Sequence, residues 1–181
     1  MKKTIVKILE ESGALKFGEF TLASGEKSKY YIDLRIIPNF PEAFEKIVGL
    51  AVTYIKSNIQ FDGVVAIPLA GIPFGTMIAN RLQKPFYILR KEPKGHGLKK
   101  MIEGNIKKGQ KILLVDDLIT SGFSKLFAIN ALREEGAVVN DLFVFVDRTA
   151  ESLVDFEKKH LIRVHSLIKA KDILAKGNKY E

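Results

Sequence analysis

Lys2 to Ser12 carries Ile5, Ile8 and Leu9 at helical spacing, and Gly13 supplies a stop. The next stretch, FGEFTLASGEKSKYYIDLR, changes period. Phe20 and Leu22 alternate with polar residues, Ser24-Gly25 turns, and Tyr30 to Leu34 makes a second short strand, which together predict a β-hairpin. Pro41 then opens a helical pattern to about Lys56, with Phe44, Ile47, Val48, Ala51 and Ile55 on one face.

From Gly63 onward strands and helices alternate. GVVAIP (63–68) is a short β-branched strand, AGIPFG a turn, Thr76 to Leu82 a helix and PFYIL (85–89) a strand. Arg90 to Gln110 is Gly- and Lys-rich without periodicity, the signature of a lid or a disordered loop. KILLVDD (111–117) is apolar until its end, and the pattern predicts that the strand stops at the two aspartates. A helix over Ser121–Glu135 follows, stopped by Gly136, then a strand over Ala137–Asp147. A polar helix (Ala150–Lys158), a strand around Leu161–Ser166 and a short helix complete the pattern. Continuously apolar central strands imply helices on both faces. The expected class is therefore α/β, a doubly wound, mostly parallel sheet flanked by helices. It forms one domain over residues 1–181, with 1–40 contributing the first helix and the hairpin.

The length, 181 residues, suits one domain, and 46% apolar residues suffice for a core. Cysteine is absent, which excludes a disulfide framework and a thiolate metal site and fits a cytoplasmic setting. Met1 to Glu11 lacks the apolar stretch of a signal peptide, and no run is long enough to span a bilayer, so no membrane partner is expected. His160 and His165 flank an apolar pair away from the acids, so no zinc site is expected either.

The net charge of +8 and pI of about 9.5 admit nucleic acid, a membrane surface, a small polyanion, or simply a lysine-rich surface. Distribution narrows the choice. Lys91 to Lys111 holds seven lysines and one histidine against two glutamates, so the excess gathers in one loop, which favours a small polyanion over nucleic acid.

The stretch LLVDDLITSG (113–122) carries the candidate chemistry. Ionised carboxylates are costly to bury unpaired, yet Asp116 and Asp117 end an apolar strand. Ligands in such sheets bind beyond the carboxyl ends of the strands. Successive strand residues face opposite sides, so two adjacent aspartates serve one ligand only if the backbone turns there. Thr120-Ser121-Gly122 then offers hydroxyls and backbone N–H groups at a helix N-terminus, which suits a phosphate. A sugar phosphate meets both demands, with the carboxylates taking hydroxyls or a hydrated Mg²⁺. As bland surface features, Asp117 would be a solvated strand end and Thr120 a helix cap.

ILLVDDLITSGFS (112–124) resembles the phosphoribosyl pyrophosphate (PRPP) motif of type I phosphoribosyltransferases, departing from it at Phe123, where Gly is common. Three further segments, in order, resemble orotate phosphoribosyltransferases. They are the N-terminal hood FGEFTLASGEKSKYYIDLR (17–35), the catalytic loop RKEPKGHG (90–97) and VDRTAE (146–151). The resemblance covers nearly the whole chain. It implies the type I phosphoribosyltransferase fold, PRPP and orotate as substrates, Mg²⁺ carried by PRPP, and a homodimer sharing the 90–104 loop across subunits. The expected product is orotidine 5′-monophosphate, with pyrophosphate released, in pyrimidine synthesis.

Residue by residue, the resemblance assigns Arg90, Lys94 and His96 to catalysis, with Lys91 joining them around the leaving pyrophosphate. PRPP is further met by Ala70 and Gly71, and by Asp116, Asp117, Leu118, Ile119, Thr120, Ser121, Gly122, Phe123 and Ser124. Orotate is met by Tyr30, Tyr31, Thr120 and Arg148, the guanidinium taking a carboxylate in a bidentate pair. Mg²⁺ would reach Asp116 and Asp117 only through water. Two more departures stand out: many bacterial relatives carry lysine at the positions of Ala23 and Ala70. A purine phosphoribosyltransferase shares the PRPP motif, and a PRPP- or base-sensing regulator on the same fold would also suit the charge. No appended helix-turn-helix supports the regulator.

Overall fold

A computed structural model describes residues 1–21, 25, 27–90, 92, 101–120, 122–149 and 153–177. The chain opens with α1 (Lys2–Glu11), the hairpin β1 (Leu15–Thr21) and β2 (Lys27–Ile32), a 3-10 helix (Leu34–Asn39) and α2 (Pro41–Asn58). The main sheet is built from β3 (Gly63–Ala66), β4 (Phe86–Leu89), β5 (Ile102–Glu103), β6 (Lys111–Ile119), β7 (Val138–Asp147) and β8 (Arg163–Lys169). Between these strands run α3 (Gly71–Arg81), α4 (Phe123–Glu134) and α5 (Val154–His160), and α6 (Ala170–Gly177) follows β8. Strand order is β5-β4-β3-β6-β7-β8, parallel except where the edge strand β5 runs against β4. The hairpin forms a separate two-stranded antiparallel sheet.

Strand alternation divides the core into two layers. Val64, Leu113, Val115, Phe143 and Phe145 pack with α1, α2 and α3 through Ile5, Ile47 and Phe74. Val65, Leu114, Leu142 and Val144 face the other way, onto Ala128, Ile129 and Leu132 of α4. Each such fully buried side chain contributes about 1.5–3 kcal/mol. The central strands therefore have no polar face to offer until they reach their ends.

Several boundaries move relative to the sequence pattern. Helix α3 starts at Gly71, five residues earlier than expected, because Pro73 falls in its first turn, where a missing N–H costs nothing. The Pro68–Leu69 peptide just before it is cis. Helix α4 starts at Phe123, because Gly122 adopts a left-handed φ of 78° that a helix cannot continue through. Helix α5 starts at Val154, and β8 runs from Arg163 because Leu161 takes a left-handed turn at φ 49°. The expected structureless stretch 90–110 contains β5.

One shift matters for function. Strand β6 does not stop at the aspartates. Asp116 pairs with Val144, Leu118 with Val146 and Ile119 with Asp147, so the strand continues to Ile119. Longer apolar β7 supplies partners for the extra residues, and ladder bonding overrides the polar signal.

Candidate active site

Asp116 and Asp117 are consecutive within β6, yet their carboxyl groups stay close enough to interact directly. Asp116 shares the face of Leu114 and meets α4. Its Oδ2 lies 2.7 Å from Lys125 Nζ, and both residues are almost fully buried, 4% and 6% exposed. Its Oδ1 accepts the Asp117 backbone N–H at 2.9 Å. Lys125 Nζ also donates to Ser124 Oγ at 3.0 Å, tying the carboxylate to the first turn of α4.

Asp117 is half-buried, and its Oδ1 accepts the Leu118 N–H at 2.7 Å. Burial, then the neighbouring Asp116 charge, pushes its carboxyl up to about 7. Arg35 of the 3-10 helix acts on Asp117 through its charge, but its guanidinium is committed to Asp33 by two bonds of 2.7 Å. Among the described residues, the cation directly bonded to this carboxylate pair is Lys125, through Asp116.

The loop after β3 closes on this point. A Cβ at Gly71 would stand 2.7 Å from the Val115 carbonyl oxygen and 3.3 Å from Asp116 Oδ1, so only glycine lets α3 begin so close to β6. Ala70 caps α3 in a helical conformation beside it, with no side-chain bond. Thr120 is exposed at the end of β6, and Gly122 caps α4, where a Cβ would also run into the Phe156 ring. Phe123 heads α4 and Ser124 is exposed in its first turn. Leu118 and Ile119 lie within the β-ladder, half-buried and buried, so they flank the site as strand and not as turn.

A second cluster forms at the end of β7. The Arg148 backbone N–H donates to Ile119 O at 2.8 Å, which fixes it beside the end of β6. Its guanidinium lies 5.0 Å from the ring centroid of Tyr30, so β2 of the hairpin reaches over the sheet's carboxyl edge. Tyr31 turns the other way and packs on Phe20 at 5.6 Å. Asp147 does not pair with Arg148. It accepts from Thr149 N and Oγ1 at 3.0 and 2.6 Å.

Arg90 stands at the end of β4 and pairs with Glu103 at 2.7 Å. Lys91, Lys94, His96, Ser121 and Ala23 lie outside the described residues. The structure therefore brings Asp116, Asp117, Ala70, Gly71, Thr120, Gly122 and Ser124 to the end of β3 and β6. Arg148 and Tyr30 stand alongside, and Tyr31 faces away from them.

Two residues escaped the sequence reading: Lys125 and Arg35. Lys125 carried a signal. It stands at the head of the apolar stripe Ala128, Ile129, Leu132, where a lysine is out of place. Arg35 had only the spacing Asp33-x-Arg35.

A phosphoribosyl transferase domain model matches residues 35–175. An orotate phosphoribosyltransferase of Methanocaldococcus jannaschii is 37% identical over 161 residues, 88% of this chain and 90% of that protein. The crystal structure of orotate phosphoribosyltransferase from Aeropyrum pernix superimposes with a TM-score of 0.85 at 32% identity, covering 97% of this chain and 98% of that one. The Mycobacterium tuberculosis orotate phosphoribosyltransferase in complex with PRPP gives 0.72 at 26% identity, covering 94% and 98%.

Proposed function

The chain belongs to the orotate phosphoribosyltransferase family, and we propose that the carboxyl end of its sheet is where that family's reaction runs. The protein is an enzyme of pyrimidine biosynthesis. It transfers the 5-phosphoribosyl group of PRPP to orotate, giving orotidine 5′-monophosphate and pyrophosphate. The bond from the anomeric carbon to the pyrophosphate oxygen breaks as a ring nitrogen of orotate bonds to that carbon, with inversion, and the proton lost from that nitrogen is balanced by the departing pyrophosphate.

In this reading Asp116 and Asp117 accept hydrogen bonds from the ribose hydroxyls. The backbone N–H groups and hydroxyls of residues 120–124 hold the 5′-phosphate at the α4 N-terminus. The main chain at Ala70-Gly71 meets the pyrophosphate without a side-chain charge. Arg148 takes the orotate carboxylate, held flat by Tyr30, with Thr120 near the base and Tyr31 supporting the hairpin.

Arg90, Lys91, Lys94 and His96 stabilise the charge that develops on leaving pyrophosphate. Arg90 must exchange Glu103 for it. The 90–104 loop is shared between subunits of a homodimer in the cytoplasm. Among the described residues no three acidic or histidine groups cluster as metal ligands, and no helix is long and apolar enough to cross a membrane. In the same reading Mg²⁺ enters with PRPP, where it offsets pyrophosphate charge, and Asp116 and Asp117 meet its water shell.

The observation that carries the reading is Arg148 held over Tyr30 beside the β6 end. A purine has no carboxylate to reward that cation. The test is an ultraviolet assay with PRPP and Mg²⁺, run with orotate, adenine, hypoxanthine and uracil. Loss of absorbance with orotate alone is expected, and turnover of a purine in preference to orotate would overturn the assignment.

A further inference from the structure

Lysine is almost never fully buried unless paired, and Lys125 is the buried lysine of this site. Its ammonium sits 2.7 Å from Asp116 Oδ2 and 3.0 Å from Ser124 Oγ. The opposite edge of the same carboxylate is fixed by the Asp117 N–H, and the α3 start at Gly71 packs against it. Asp116 is thus held on three sides, by α4, by its own strand and by the loop after β3. Asp117 feels the same ammonium only through its charge, and its Oδ1 is held locally by the Leu118 N–H.

We propose that Lys125 is a positioning residue for PRPP. It fixes Asp116 in one orientation and joins it through Ser124 to the phosphate-binding turn, so the ribose and 5′-phosphate subsites form one rigid unit. The proposal rests on the PRPP assignment above.

The physical reason is geometric. A ribose hydroxyl and the 5′-phosphate are joined in one substrate molecule, so affinity depends on how firmly the two acceptor and donor sets are held to each other. A neutral residue at position 125 would leave Asp116 free to rotate and Ser124 without its donor. The role is distinct from substrate contact: Lys125 is too buried, and too fully engaged by Asp116 and Ser124, to reach the ligand itself.

The chain contains no cysteine, so Lys125→Cys introduces a single thiol. Aminoethylation of that thiol in denaturant, followed by refolding, rebuilds a lysine-like ammonium at the same position. Kinetics with PRPP and orotate, and calorimetric titration with PRPP and Mg²⁺, are measured on the full chain. Lys125→Cys is expected to raise the PRPP KM roughly 10- to 100-fold, the span of a charged hydrogen bond, with the orotate KM changed less than about twofold. Aminoethylation should restore most of the loss. An unmoved PRPP KM, an equal rise for orotate, or no recovery on aminoethylation overturns the proposal.

If Lys125→Cys does not fold, Asp116→Asn is compared with Asp116→Asn/Lys125→Met, which leaves no orphaned buried charge. A residue acting through Asp116 adds less than about twofold to the PRPP loss of Asp116→Asn, whereas a further loss of about tenfold shows an independent role. Should the wild-type chain bind PRPP yet ignore orotate, the assigned base fails while the calorimetry still decides Lys125.

Discussion

Asp141, near the amino end of the sheet, and the Asp116–Asp117 pair, at its carboxyl end, are matched to different degrees. At the amino end, Asp141 of β7 is 5% exposed and fully matched. Arg163 meets both its oxygens, Nε to Oδ1 at 2.9 Å and a terminal nitrogen to Oδ2 at 3.0 Å. His165 Nε2 adds a contact of 2.8 Å to Oδ1, and the far side of that ring reaches Tyr54 at 3.2 Å. At the carboxyl end, among the described residues, the adjacent carboxylates have Lys125 as a directly bonded cation, through Asp116, and the nearby Arg35 is spent on Asp33. A complete network serves packing. An incomplete one leaves acceptor capacity and charge for something that arrives later, and such local deficits concentrate at functional sites.

Removing the deficit should therefore damage activity most. Asp117→Asn keeps the size and one acceptor but loses the charge, and kcat/KM for PRPP is expected to fall roughly 10²- to 10³-fold, or about 3–4 kcal/mol. Steady-state kinetics checks this, and a fall under about tenfold would remove Asp117 from the ribose site. Asp141→Ala is the matching change at the other end. Losing bonds to Arg163 and His165 should cost about 2–3 kcal/mol of stability in urea unfolding. Its kcat/KM should remain within about twofold, since nothing there reaches substrate. A large kinetic loss in folded Asp141→Ala would mean that the two ends are coupled through β7.

The sequence pattern disclosed the sheet because period and residue type agreed: GVVAIP, KILLVDD and AVVNDLFVFVD are apolar on both faces and have no other way to be covered. It misplaced the end of β6 because two aspartates read as a stop, and the partner strand that carries the ladder to Ile119 is a tertiary fact. Only the resemblance, not the hydrophobic pattern, brought the hairpin to the base. Tyr30 is an unremarkable strand residue until β2 is laid over Arg148. Motif resemblance pointed to Asp116, Asp117, Gly71 and Arg148 because their chemistry sits at fixed spacing. Lys125 belongs to the same site, but its role depends on a contact nine residues away across the β6–α4 turn, where only its place in an apolar stripe betrayed it.

Arg148 tests whether the carboxyl end is selective as well as acidic. Tyr30 stands against the guanidinium, 5.0 Å from ring centroid to Cζ. Arg148→Ala is expected to lower kcat/KM for orotate roughly 10- to 100-fold, the span of a charged bidentate contact, while PRPP binding by calorimetry changes less than about twofold. Tyr30→Leu keeps the apolar cover but drops the ring's attraction for the cation, and a milder loss of about threefold in orotate KM is expected. Equal losses for PRPP and orotate in Arg148→Ala would place the arginine in general site integrity instead of base recognition.

The smallest expected effect is on stability, and it has a definite sign. In the folded protein the Asp117 carboxyl sits at about 7, against an ordinary value of 3.8 for the unfolded chain. Between those limits the folded state holds the extra proton, so this group's contribution to unfolding free energy decreases as pH rises from about 4 to about 7 and is level above that. Asp117→Asn has no such slope. Its stability relative to the parent chain should therefore be smallest near pH 4 and grow through neutrality. Three pH units correspond to about 4 kcal/mol in full. The half-buried carboxylate keeps some solvent and the asparagine amide leaves a donor to satisfy, so about 1–2 kcal/mol is expected at pH 8. Urea unfolding of both chains at pH 4.5, 6 and 8 reads the gap directly. Parallel profiles would mean that Lys125 already serves both carboxylates, and the amino and carboxyl ends would then differ in geometry but not in charge balance.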